Sequence, residues 1–191
     1  MGLVMQVFSA WGVMRLPHPL RKHNMSLSMY SASVPVAIRI LNNLSVILGK
    51  AAAHCEARKI DEAALLNSRI FPDMFPLTRQ VQIACDMIKG GASRLAGVEI
   101  PRFEDTEASF AELQARIAKT VDYLSTFKPE QIDGSEGRDI SIKMRDRVVE
   151  SKGQQYLMEA VLPNFFFHVT TAYNLLRHGG VEIGKRDYLG N

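Results

Sequence analysis

His168 and Asn164 stand four residues apart in the segment PNFFFHVTTAYNLLRHGG, residues 163–180, so both lie on one face of a helix, one turn apart. An imidazole and an amide in that relation can contact a ligand, or supply part of a metal's coordination shell. They can also be core groups that satisfy their own hydrogen bonds. A second polar pair, Gln82 and Asp86, shares a face of an earlier helical stretch. His54 and Glu56 fall near the end of the first helical run, where a histidine favours the helix C-terminus more readily than a metal. Cys55 and Cys85 lie inside helical patterns without C-x-x-C spacing, which reads as two reduced, buried thiols, a disulfide between them being the lesser alternative.

Motifs of high specificity are missing. No H-E-x-x-H or paired E-x-x-H pattern occurs, which speaks against zincin and di-iron carboxylate chemistry. Ser, His and Asp are scattered without a nucleophile elbow. Gly184 and Lys185 lack the upstream glycine and the following Ser or Thr of a phosphate loop.

The elements that must position these residues are helical. In the last helix Phe165, Val169, Ala172 and Leu176 recur at three- and four-residue steps, flanked by Phe166 and Tyr173, with Pro163 and Asn164 reading as its start and Gly179 and Gly180 as its end. A first helix is expected from about Val34 to Lys59, capped by Ser33, with Pro35 in its first turn and Val36, Ile40, Leu44, Ile47 and Ala51 on its stripe. A second runs from Leu77 to about Leu95, where Gly90 and Gly91 either kink it or admit a neighbouring helix. In the third, opened by Asp105 or Thr106, Phe110, Leu113, Ile117, Val121 and Leu124 form the stripe. Glu112, Arg116, Lys119 and Asp122 form its solvent face, with a Glu112–Arg116 pair in the favourable order. Ile140, Ile142 and Met144 alternate with polar residues, so residues 139–144 predict a strand, with 154–158 as its hairpin partner. The loop SRIFPDMFPL places Ile70, Phe71, Met74 and Phe75 among prolines, as a packed connection or as the wall of a pocket.

With 191 residues and 47% hydrophobic content the chain can build one good core. Basic and acidic residues number 23 and 20, too nearly balanced and too dispersed for a nucleic-acid surface. No run approaches the roughly 20 apolar residues that cross a bilayer. Residues 1–24 read as a poorly ordered extension and residues 25–191 as the domain. The apolar Leu3–Met14 segment is followed, not preceded, by its basic residues, unlike a secretory signal.

The run RIFPDMFPLTRQVQIACD, then RLAG, then PNFFFHVTTAYNLLRHGGVEIGKRDYLG resembles a family known only as a domain of unknown function within the DinB/YfiT-like superfamily. The resemblance implies an all-α, DinB-like four-helix bundle and a homodimer, within a superfamily whose metal-binding members are similar to thiol-dependent transferases. In those relatives one histidine of the second helix and a pair four residues apart on the fourth hold a divalent ion. Here it places His168 at the second position of that pair and Asn164 at the first. The second helix holds no histidine, so Gln82 or Asp86 is the nearest candidate. The ligand set His168, Asn164 and Asp86 is therefore degenerate, because an asparagine is a weak ligand beside a second histidine. The reading that follows has Asn164 capping the last helix and His168 bonded to Asp86 in the core. It makes the chain a cytoplasmic small-molecule-binding or interaction protein with no nucleic-acid or membrane partner and no cofactor. Its alternative is a transferase or hydrolase using a divalent metal, zinc or nickel.

Overall fold

The computed structural model describes residues 27–143 and 146–190. The extension read over residues 1–24, the domain start at Met25 and the strand position of Met144 lie outside the described residues.

Four long helices form the bundle: α1 (Met29–Arg58), α3 (Leu77–Ala96), α4 (Phe110–Ser125) and α7 (Leu162–His178). Short helices α2 (Glu62–Leu66), α5 (Pro129–Ile132) and α6 (Gly153–Gln155) lie in the connections, and α8 (Lys185–Leu189) follows α7. Helix α1 packs chiefly on α4, and α3 on α7. Their stripes meet in one core that includes Leu41, Leu44, Ile88, Phe110, Leu113, Ile117 and Phe165. Helix α1 reaches the length of a membrane span, and an 18-residue window of it has mean hydropathy 1.4, but 44% of that window is buried in the bundle. One side of it, including Leu41, Leu44 and Leu48, packs into the core, while Val46 on another side is 59% exposed.

The helix starts differ from the sequence pattern, for local reasons. Helix α1 begins five residues before Val34 because Ser28, not Ser33, caps it: the Ser28 hydroxyl accepts from Ser31 N at 3.2 Å and the Ser31 hydroxyl from Ser28 N at 3.0 Å. Pro35 therefore lies inside α1, on its exposed face. Ser109, not Asp105 or Thr106, caps α4, its hydroxyl accepting from Glu112 N at 3.2 Å.

The hairpin exists, with a different second strand. Strand β1 (Asp139–Lys143) pairs antiparallel with β2 (Val148–Lys152), Ile140 facing Ser151 and Ile142 facing Val149. Residues 154–158, expected to be that strand, are helical instead, with Tyr156 and Leu157 in the core. A π-helical turn, Tyr156–Val161, joins α6 to α7, so the last helix starts upstream of Pro163 and Asn164 is not its cap. Pro163 has no N–H to offer the carbonyl four residues back, and the wider turn lies where that bond would have closed. The turn sets Val161 against Gly91: a Cβ on Gly91 would lie 2.6 Å from a Val161 methyl, so the glycine allows the close approach of α3 and α7.

Candidate functional site

Close approach at Gly91 sets the α3–α7 register, and two turns or more away it brings Gln80 opposite His168. Gln80 is 1% exposed. Its Nε2 donates to the Phe75 carbonyl at 2.9 Å, and its Oε1 lies 2.6 Å from His168 Nδ1. His168 is half-buried, and the Phe167 ring meets it edge-on with centroids 5.2 Å apart. Burial, and secondarily the nearby Arg79 guanidinium, hold the imidazole below its ordinary pKa, which favours a neutral ring. Beside this couple Phe75, whose carbonyl holds the Gln80 amide, and Phe167, which meets the imidazole, are 53% and 55% exposed, an apolar rim contributed by the α2–α3 loop and α7. On the adjacent side of α3 an open cleft of about 410 Å³ is lined by Asn67, Thr78, Arg79, Gln82, Asp105 and Glu107, among others.

The residues singled out in the sequence are not assembled into one site. Asn164 is exposed on the same face as His168, and its Nδ2 donates to the Ala160 carbonyl at 2.6 Å. Asp86 does not bond His168. Its carboxylate lies 2.8 Å from Lys89 Nζ and 3.0 Å from Arg116 Nη2. Gln82 is buried, but it donates to Glu107 at 2.8 Å. The partner of His168 is Gln80, which the sequence reading passed over. A polar residue one turn before Ala84 on a helix facing the core was its only trace.

Asp86 belongs instead to a charge network between α3, α4 and the 97–109 connection. Arg116, expected on the solvent face of α4 with Glu112, is 4% exposed and central to that network. Its Nη1 donates to the Glu104 carbonyl at 3.0 Å and to Glu107 at 2.9 Å. Its Nη2 is 3.0 Å from Asp86 and 2.9 Å from Asp105, ion pairs by distance whose angles are not those of hydrogen bonds. Arg79 pairs with Asp105, while Lys89 and Lys119 sit 3.9 Å and 4.2 Å from the Phe103 ring centroid. Three cations, Arg79, Lys89 and Arg116, thus face three carboxylates, Asp86, Asp105 and Glu107. Burial raises the Glu107 pKa, but the bonds from Arg116 and Gln82 outweigh it and leave the carboxyl below its ordinary range. Cys85 beside this network is fully enclosed and its thiol is pushed up to about 11, chiefly by burial, so it is not a thiolate nucleophile at neutral pH.

The donor chemistry does not fit the divalent-ion site of the metal-binding bundles. Among the described residues no three His, Cys, Asp or Glu side chains converge on one point. Amides stand at Gln80 and Asn164, and one nitrogen of His168 is already engaged by Gln80.

Comparison with known proteins agrees with this architecture. The family model described as domain of unknown function DUF1993 matches residues 29–189. The crystal structure of a DinB family member protein from Shewanella denitrificans is similar at 41% identity and a TM-score of 0.76, over 85% of this chain and 92% of that one. A comparison with curated proteins gave no match. A bundle of this topology, matched along almost all its described length, makes the chain a member of the DUF1993 family, an uncharacterised family with the DinB-like fold.

Proposed function

We propose that this chain is a small-molecule-binding protein, working in the cytoplasm as a homodimer, whose binding mouth is the His168–Gln80 couple and its apolar rim. The observation that carries the reading is the 2.6 Å contact between His168 Nδ1 and Gln80 Oε1. It engages one nitrogen of the imidazole with an amide from α3, a group that binds metal weakly and organic polar atoms readily. A polar couple flanked by exposed Phe75 and Phe167 suits an organic ligand that buries apolar area and satisfies one or two polar atoms. The dimer rests on the likeness to DinB-like proteins and is checked by light scattering.

The test pairs two measurements on protein purified without a histidine tag. Thermal unfolding is followed with chelator and with added zinc, nickel or manganese, since a ligand that binds only the folded state raises its stability by mass action. Binding of the apolar dye 1-anilinonaphthalene-8-sulfonate is then compared with that of the Phe75→Ser, Phe167→Ser double variant. The reading expects no metal-linked stabilisation, and dye binding that falls at least severalfold in the variant. About one metal per chain, with stabilisation on its return, would overturn it in favour of a metal-dependent transferase or hydrolase.

A further inference from the structure

We infer that Gln80 locks His168 in its Nδ1–H tautomer, making Nε2 a fixed hydrogen-bond acceptor, so that the mouth takes a neutral, apolar ligand carrying an O–H or N–H. The ligand class rests on the binding reading above; the tautomer does not. The Phe75 carbonyl can only accept, so the Gln80 atom 2.9 Å from it must be the NH2 group. That assignment fixes the other end of the amide, the carbonyl oxygen, at 2.6 Å from His168 Nδ1. A carbonyl oxygen cannot donate, so the hydrogen between them belongs to Nδ1. A neutral imidazole carries only one, which leaves a lone pair on Nε2. Gln80 is 1% exposed, and its bond to the Phe75 carbonyl sets which way the amide faces.

The residues beside His168 select the ligand. One turn back on α7, the Asn164 NH2 is spent on the Ala160 carbonyl, so Asn164 offers its own carbonyl oxygen. Two acceptors on one face ask for a donor. Arg79, whose charge already depresses the ionisation of His168, disfavours a cationic one. The exposed rings of Phe75 and Phe167 supply the apolar contact.

Phenol and anisole, which share a ring and differ in the O–H, are the probes. Two-bond proton–nitrogen correlation spectra at neutral pH identify His168 as the histidine missing from His168→Ala, and report which nitrogen bears hydrogen. The expected result is Nδ1–H with bare Nε2 in the wild type and in Gln80→Glu, and Nε2–H in Gln80→Leu. Phenol should bind more tightly than anisole by roughly fivefold, the worth of one net hydrogen bond near 1 kcal/mol. That preference should vanish in Gln80→Leu. Nε2–H in the wild-type protein refutes the lock, and this reading stands even if Gln80→Leu does not fold. Nδ1–H without preference for phenol, including no binding of either probe, refutes the ligand class. The dye measurement on Phe75 and Phe167 then reports separately whether the mouth binds at all.

Discussion

Replacing Arg116 by methionine keeps the length and apolar stem of the side chain and removes the charge at the centre of the α3–α4 network. The consequence depends on what each carboxylate has left. Asp86 retains Lys89 at 2.8 Å and Asp105 retains Arg79, and both carboxylates are 37% exposed, so water can take part of the lost interaction. Glu107 is the exception: its side chain is 11% exposed and only the Gln82 amide remains at 2.8 Å. Breaking a buried pair by removing one partner costs about 3–5 kcal/mol, and the hydration open to two of the three partners places Arg116→Met near the lower end. For a domain of this size about 3 kcal/mol corresponds to a fall in Tm of roughly 6–12 °C. Urea unfolding followed by far-UV circular dichroism gives the loss directly. Adding Glu107→Gln to Arg116→Met should recover on the order of 1–2 kcal/mol, because it neutralises the stranded carboxylate. The pH dependence has a definite sign. Glu107 has a folded pKa below its ordinary value of 4.5, so its pairing stabilises the wild type above that value and the contribution is lost as pH falls through the lower, folded pKa. The gap between wild type and Arg116→Met should therefore narrow on acidification below about 4.5 and stay constant from about pH 6 to 8. A loss under about 1 kcal/mol at neutral pH, or a gap that widens in acid, would show that Arg116 is a solvated surface residue after all.

Three further outcomes are expected. Gln80→His combined with Asn164→His places two further imidazoles beside His168, and should create zinc-dependent stabilisation that chelator reverses, read as a rise in Tm with added zinc. Gly91→Ala drives a Cβ to 2.6 Å from Val161 and should cost about 1–3 kcal/mol by overpacking, with Val161→Ala in the same chain recovering part of it in urea titrations. Cys85, enclosed and with its thiol near 11, should resist a thiol-reactive disulfide reagent in native protein at neutral pH and react once the chain is unfolded, as counted by released thiolate absorbance.

The sequence by itself determined the elements whose cause is local. The stripes Val81, Cys85, Ile88 on α3 and Phe110, Leu113, Ile117, Leu124 on α4 recur at the helical period because burial on one face requires it; α3 lies where the pattern placed it, while α4 keeps its stripe but starts later than the expected cap. Gly90 and Gly91 were legible as a kink or a point of close approach, of which Gly91 takes the second, and the motif along 163–190 as a DinB-like family signature. Residue chemistry alone misled where a distant partner outbid the local one. Asp105 is a good cap by type, but Arg79 and Arg116 draw it into ion pairs and leave the cap to Ser109. Arg116 and Glu112 have ideal spacing for a surface pair, yet Arg116 turns inward to carboxylates on other elements. The π turn before Pro163 moved the start of the last helix and freed Asn164 from capping. Only the tertiary structure could join Gln80 to His168: the two are 88 residues apart, and their contact follows from the register of two antiparallel helices fixed by Val161 against Gly91, which no periodicity encodes.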